Sequence, residues 1–389
     1  MNLLEAHGQW RDRSADETYW GLPDALVAAR YIKDHSREMD PVFYRLLKAE
    51  AAGGELVLTV RDKQFQLTNC AAQQLCNRAG VPHSFISKQP AELAARNVNW
   101  GLETNRGSTD DVCMPLVYEG GSDRMRALTS ERYQRLWHSD FIGAIQRMLD
   151  NSWGTPPAFP SPSRRNDPRI RPATEADIEL FHGVTSVKIG DRIGPAGVYL
   201  SDRDMFVFIV SGRYIDGPSG PLYRFAIFWN NEIGTGSWGA TFGYFDHVCG
   251  NHIVWGAQEV SEVRVRHVGS KSLNSGSREV IRMLSSAQHG DLTIDAAKLK
   301  AAAKFSLGAG RAEVVEKVSS MARVKRVNEL TSTRVGAAFD IAEQKERYGA
   351  PNTAWAITCG LTELSQISLY GSERTALDRA AGRVLDMVP

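Results

Sequence analysis

The sequence predicts an α+β protein, and three features of the chain carry that prediction. Residues 1–152 mix helical spacing with alternating, strand-like runs. Residues 176–276 are rich in aromatic and β-branched residues, with turn signals at short intervals, which is typical of an antiparallel sheet. Residues 277–389 have helical spacing throughout. Strands followed by helices favour an α+β fold over a doubly wound sheet.

Several elements of the N-terminal region can be placed individually. The run ELVLTVRDKQFQL alternates like a hairpin whose turn is Arg61-Asp62-Lys63. Thr68 or Asn69 is suited to cap the next helix, which should close on Gly80. The run ERYQRLWHSDFIGAIQRMLDNS, residues 131–152, has the apolar spacing of one amphipathic helix.

The composition changes at residues 153–175, which are rich in proline and arginine. We interpret this segment as a linker or an exposed loop. It would separate the mixed α/β N-terminal region from the β-rich core at 176–276. The helical C-terminal region, residues 277–389, could pack as one unit with that core.

The overall composition excludes several classes of protein. The chain has 389 residues, of which 42% are hydrophobic and 23% charged, with a net charge of +1. It therefore has no general electrostatic bias toward nucleic acid or membrane. Its five cysteines include no C-x-x-C pair, which argues against a disulfide framework or a zinc ribbon and fits a reducing compartment. No signal-peptide-like or membrane-spanning run is present, so we expect a soluble cytoplasmic protein without a membrane partner.

The stretch NNEIGTGSWG contains the spacing G-x-G-x-x-G at Gly234, Gly236 and Gly239. A dinucleotide site needs this spacing between a strand and a helix, so that the pyrophosphate meets the helix N-terminus. The residues that follow Gly239 are rich in glycine and aromatics and resemble a second strand. We therefore predict a glycine-rich turn between antiparallel strands, and no cofactor.

The same region resembles a phage- and plasmid-borne family, usually labelled only "phage/plasmid-like protein" with a domain of unknown function. Its pattern is Asn-Ser-Glu-Val-Gly, then Cys-x-Asn, then Arg-x-x-His or Arg-His. The positions that carry the resemblance here are Asn230, Asn231, Glu232, Gly234, Cys249 and Asn251, followed by Arg264-x-Arg266-His267. The resemblance implies a phage or plasmid context.

Three further segments extend the resemblance from about residue 55 to the C-terminus. They are LCNRAGVPHSFI, RALTSERYQRLWHSDFI and NTAWAITCGLTELSQ. The chain departs from the family pattern at two positions. Asn231 stands where serine is common, and Gly360 stands where asparagine is common, so any chemistry that those side chains carry in the family is in doubt here.

A local basic run suggests a partner. Residues 260–330 contain 13 lysines and arginines against 7 aspartates and glutamates. Basic strands beside aromatic strands can form a stacking platform with phosphate contacts, as in proteins that bind single strands. The candidate nucleic-acid-binding residues are Arg264, Arg266, His267, Lys271, Arg278, Arg282, Trp229, Trp238 and Tyr244.

The favoured hypothesis is therefore a phage or plasmid accessory protein that binds DNA, preferentially single-stranded, in replication, recombination or strand annealing. By analogy with annealing proteins, we expect a homo-oligomer. The sequence favours a protein without catalysis, and we predict no catalytic residue and no bound metal.

Two alternatives remain open. A metal-dependent hydrolase or nuclease would use converging acids, of which the candidates are Asp202, Asp204, Asp216 and Glu232. The run HVCGNH also offers His247, Cys249 and His252, although no fourth zinc ligand lies nearby in sequence. The other alternative is a structural or host-interaction protein that catalyses nothing.

Overall fold

The computed structural model describes residues 15–105, 111–121, 123–160, 164–181, 184–234, 236–246, 251–255, 262–268, 270–366 and 371–389. Two antiparallel-rich sheets occupy its N-terminal and central parts, and helices form its C-terminal part, so the predicted α+β class is confirmed.

The elements are numbered here in chain order. The strands are β1 Thr18–Tyr19, β2 Ser36–Glu38, β3 Val42–Phe43, β4 Lys48–Ala52, β5 Glu55–Val60, β6 Lys63–Leu67, β7 Val112–Tyr118, β8 Arg124–Ser130, β9 Trp153–Gly154, β10 Arg171–Pro172, β11 Arg192–Ile193, β12 Val198–Leu200, β13 Asp204–Gly217, β14 Gly220–Asn231, β15 Trp238–Asp246, β16 Asn251–Ile253 and β17 Glu262–Val265. The α-helices are α1 Leu22–Asp34, α2 Asn69–Ala79, α3 His83–Ile86, α4 Ala91–Thr104, α5 His138–Met148, α6 Glu175–Ile178, α7 Ser270–His289, α8 Thr293–Ala302, α9 Arg311–Lys325, α10 Ser332–Glu343, α11 Ala354–Ser365 and α12 Gly371–Leu385.

The first sheet has the strand order β2-β7-β8-β6-β5-β4, and β3 also pairs with β7. Helices α2 and α4 cover it and contribute to its core. The predicted hairpin is β5–β6, and its turn residues Arg61 and Asp62 have φ of 48° and 67°, the left-handed geometry of a tight hairpin turn. The Thr68 side chain caps α2, and Gly80 ends it with φ of 71°, so both of these predictions are confirmed.

The central sheet has the order β1-β12-β13-β14-β15-β16, with β17 also pairing with β15 and β9 with β13. Helices α1, α5 and α7 share a hydrophobic core with one face of this sheet. The predicted N-terminal region is therefore not one unit. Its ends, β1 with α1 and α5 with β9, belong to the central sheet, because their apolar side chains are buried there.

The predicted linker and one predicted helix need correction. Within 153–175, Trp153 is buried, and Arg169 donates to the Thr18 carbonyl at 2.7 Å, so the described part of this segment packs into the fold. The helix predicted over 131–152 forms only from His138 onward. Before it the chain is extended, because its backbone bonds to a distant strand: the Gln134 amide donates to the His267 carbonyl at 2.7 Å.

The C-terminal helices α8 to α12 form a separate core that also covers one end of the central sheet through Tyr244, Ile253 and Trp255. Helix α11 is buried along almost its whole length. The helical region begins at Ser270 rather than at residue 277. Among the described residues, no helix is both long and apolar enough to cross a bilayer.

Candidate nucleic-acid interface

The glycine-rich stretch is the turn of the β14–β15 hairpin, as predicted. Gly234 has φ of 85°, which favours glycine, and the residues after Gly239 form a strand rather than a helix. A Cβ at Gly239 would collide with the Val263 carbonyl of β17. These glycines therefore provide a turn and close strand contact, and they do not open the helix that a dinucleotide motif requires.

The tip of this hairpin is inserted between the two sheets and is held there by a buried ion pair. Glu232 is 2% exposed and accepts from Arg126 Nη2 at 2.7 Å and from the His138 amide at 2.8 Å. Arg126 is 1% exposed and also donates to Asp202, through its carboxylate at 3.1 Å and its carbonyl at 2.7 Å. A buried guanidinium saturated in this way fixes the hairpin to the first sheet.

The titration of this pair is set by competing effects. Burial alone would raise the pKa of Glu232, but the charge of a protonated His138, the charge of Arg126 and hydrogen bonds from both residues lower it overall. Burial lowers the pKa of His138, so its ring is neutral near pH 7. In that state the permanent charge of Arg126 is what keeps Glu232 ionised.

Other bonds hold the same tip. Tyr133 Oη donates to the Asn231 carbonyl at 2.6 Å, and Gln74 Nε2 donates to the Ile233 carbonyl at 2.8 Å. The Arg135 guanidinium donates to the Glu232 carbonyl. The Asn230 amide donates to His138 Nδ1 at 3.0 Å, which places the ring proton of neutral His138 on Nε2.

His267 belongs to this buried junction and not to a ligand surface, which corrects the prediction that it binds nucleic acid. Its side chain is 3% exposed, its ring lies 4.9 Å from that of Tyr133, and its Nδ1 donates to the Gln134 carbonyl at 3.0 Å. Burial lowers its pKa to about 4. The motif residues Asn230, Asn231, Glu232 and Gly234 likewise serve docking in this structure.

The acids proposed for a metal site do not converge. Glu232 and Asp202 both pair with Arg126, and Asp204 pairs with Arg203 at 3.1 Å. Asp216 lies opposite Pro221 at the far end of the β13–β14 pair. Across the part of the chain that the structure describes, no three His, Cys, Asp or Glu side chains are grouped to hold a metal.

Several candidates cannot be placed. His247 and Cys249 lie outside the described residues, and the side chains of Asn251, His252 and Lys271 do as well. Asn251 and His252 belong to β16, and Lys271 belongs to α7, by backbone only.

Two of the predicted stacking aromatics are core residues, which corrects their assignment. Trp238 is 1% exposed, and its ring packs edge-on against Phe141 at a centroid distance of 5.5 Å. Tyr244 is fully buried, its hydroxyl donates to Asp295, and the Arg224 guanidinium lies 4.9 Å from its ring centroid. Neither ring can stack on a nucleic-acid base, because neither reaches the surface.

The third predicted aromatic, Trp229, does reach the surface. The strand registers align Phe206, Trp229, Gly239 and Arg264 in one row across β13, β14, β15 and β17. Phe206 and Trp229 are partly exposed, and Arg264 is exposed. The Trp229 indole donates to Ser237 Oγ at 3.4 Å, and the Arg264 guanidinium lies 5.7 Å from its ring centroid. This set of four residues is called the aromatic row below.

The predicted basic residues divide between two sides of the central sheet. Val263 and Val265 of β17 are buried in the core shared with α7, so Arg264 and Arg266 point to the opposite face, where both are exposed. Arg278 and Arg282 are exposed on α7 itself. The basic run therefore does not form the single continuous surface that was predicted, because the sheet separates its two halves.

Four residues of these clusters were missed by the sequence reasoning: Arg126, Arg135, His138 and Arg379. The first three lie in the segment RALTSERYQRLWHSDFI, which the family resemblance had already marked. Arg379 of α12 forms an ion pair with Glu262, which also accepts from Arg264 at 3.2 Å. No family model, curated protein or solved structure matches the chain.

Proposed function

We propose that this protein binds single-stranded DNA through the aromatic row and the exposed arginines of β17. The observation that carries this proposal is the alignment of two partly exposed rings, Phe206 and Trp229, with the exposed Arg264 across adjacent strands. Arg266 continues the basic edge on the same face, two residues further along the chain. Rings beside guanidinium groups suit bases beside phosphates.

The chemistry of the row favours unpaired bases. Stacking on an aromatic ring needs the open face of a base, which a duplex keeps covered by its neighbours. Arginines next to the rings supply phosphate contacts that depend on salt and do not depend on sequence. A role in phage or plasmid replication, recombination or strand annealing follows from the family resemblance, and we propose a cytoplasmic homo-oligomer as the working form.

The first test is fluorescence anisotropy with a labelled single-stranded oligothymidylate at low and moderate salt. We expect Arg264→Ala/Arg266→Ala to weaken binding at low salt and to reduce the salt slope by about 1.4, at about 0.7 per phosphate contact. The matched control is Arg30→Ala/Arg96→Ala, which removes two exposed arginines from helices α1 and α4. The proposal fails if the wild type does not bind at low salt, or if both double variants lose affinity equally.

The second test separates stacking from charge. Trp229→Ala should weaken binding by about 5- to 150-fold, since one base stack contributes roughly 1–3 kcal/mol, and should leave the salt slope unchanged. Trp100→Ala is the control, because Trp100 is 67% exposed on α4, remote from the row in sequence and sheet. A duplex of the same length should compete at least about tenfold less well than the single strand. Equal competition would contradict the single-strand preference.

A further inference from the structure

We infer that Arg264 caps the Trp229 ring in the free protein and leaves it when a base stacks there, so that one side chain couples base stacking to phosphate contact. This inference rests on the proposed function and adds a mechanism to it. It assigns Arg264 two alternating partners, the indole ring and a phosphate of the bound strand.

The ring of Trp229 is held in a fixed position. Its Nε1 donates to Ser237 Oγ at 3.4 Å, and its Cζ2 would lie 2.8 Å from a Cβ at Gly239. The ring therefore extends over the one position in its row that has no side chain. This geometry brings it to the next strand, β17, where Arg264 meets it.

Arg264 is held only weakly at that position. Its side chain is 58% exposed, its guanidinium lies 5.7 Å from the ring centroid, and its Nε donates to Glu262 at 3.2 Å. Cation–π contacts and ion pairs at exposed sites are both weak, so a base that stacks on the same ring can displace the guanidinium. Glu262 also pairs with Arg379, so it keeps a cationic partner when Arg264 moves.

The displaced guanidinium remains next to the stacked nucleotide. An arginine side chain is long enough to move from the ring to the phosphate of the same nucleotide without backbone movement, and it forms a charge-assisted hydrogen bond there. The loss of the ring contact is then offset by a phosphate contact. A strand without backbone charge would lose this compensation.

That difference gives a test with two probes, a phosphodiester oligothymidylate and its uncharged methylphosphonate counterpart. Arg264→Ala should bind the phosphodiester strand more weakly than the wild type does. It should bind the methylphosphonate strand about two- to fivefold more tightly, because the ring no longer has to be uncapped. Arg266→Ala removes the same charge and should weaken phosphodiester binding without any gain on the uncharged strand.

The outcomes separate the inference from the proposed function. If the wild type binds neither strand, the proposed function and the inference both fail. If the wild type binds the phosphodiester strand but Arg264→Ala shows no gain on the uncharged strand, the inference is wrong and the proposed function stands. A gain for Arg264→Ala that Trp229→Ala/Arg264→Ala abolishes supports the inference. Equal thermal midpoints of the variants establish that folding is not the cause.

Discussion

Arg126→Met tests the buried junction between the two sheets. The substitution removes the cation that pairs with Glu232 and keeps an apolar stem of similar length. The two side chains are 1% and 2% exposed, and Arg126 Nη2 lies 2.7 Å from Glu232 Oε1. Removing one partner of a buried pair leaves an uncompensated charge, which costs about 3–5 kcal/mol. We expect the free energy of unfolding to fall by that amount.

Urea denaturation at pH 7 measures this loss, followed by tryptophan fluorescence and by far-UV circular dichroism. Coincident curves from the two probes establish that one transition is being measured. Lys33→Met is the control, because the Lys33–Asp140 pair at 2.8 Å is solvent-exposed and should be worth about 0–1 kcal/mol.

A double-variant cycle identifies the cause. Glu232→Gln keeps an acceptor for the His138 amide but removes the negative charge. Combined with Arg126→Met, it should recover about 1 kcal/mol or more of the loss, because no unpaired buried charge then remains. A loss below about 1 kcal/mol for Arg126→Met, or a double variant no more stable than Arg126→Met alone, would refute the reasoning.

Three further predictions follow from the same structure. His267 has a folded pKa of about 4, below its unfolded value of about 6.5, so the unfolded chain binds more protons between these pH values and stability must fall as pH drops from 6.5 to 4. Urea midpoints at several pH values should show this slope, and His267→Gln should reduce it; an unchanged slope would count against burial as its source. Gly239→Ala should destabilise the protein by about 1–3 kcal/mol, because its Cβ collides with β17, whereas Gly310→Ala, which has open space, should not. Millimolar NAD or NADP should leave the thermal midpoint unchanged, and a shift of several degrees would contradict the turn assignment.

Short-range signals were sufficient for much of the fold. The β5–β6 turn, the Thr68 cap and the Gly80 helix end each depend on the preferences of a few neighbouring residues, and they were predicted correctly. The segment 131–137 has an equally clear helical spacing but is extended. Its backbone and side chains instead bond to β14, the hairpin tip and His267, partners far away in sequence, and these bonds outweigh local preference.

Gly360 shows the same limit for a single residue. From the sequence it is only a departure from the family pattern. In the structure a Cβ at this position would collide with the Ala338 carbonyl, so glycine allows helices α10 and α11 to pack closely. Only the neighbouring helix supplies that reason.

The sequence by itself determined the α+β class, the antiparallel centre, the helical C-terminal part and the turn at Gly234, because these follow from periodicity and backbone preference. It also identified Trp229, Arg264 and Arg266 by residue type. Only the tertiary structure decided which faces those residues occupy. Burial moved Trp238, Tyr244 and His267 into the interior, and packing of α7 on one face of β17 separated the basic residues. Burial and sidedness depend on contacts between distant segments, which spacing along the chain does not encode.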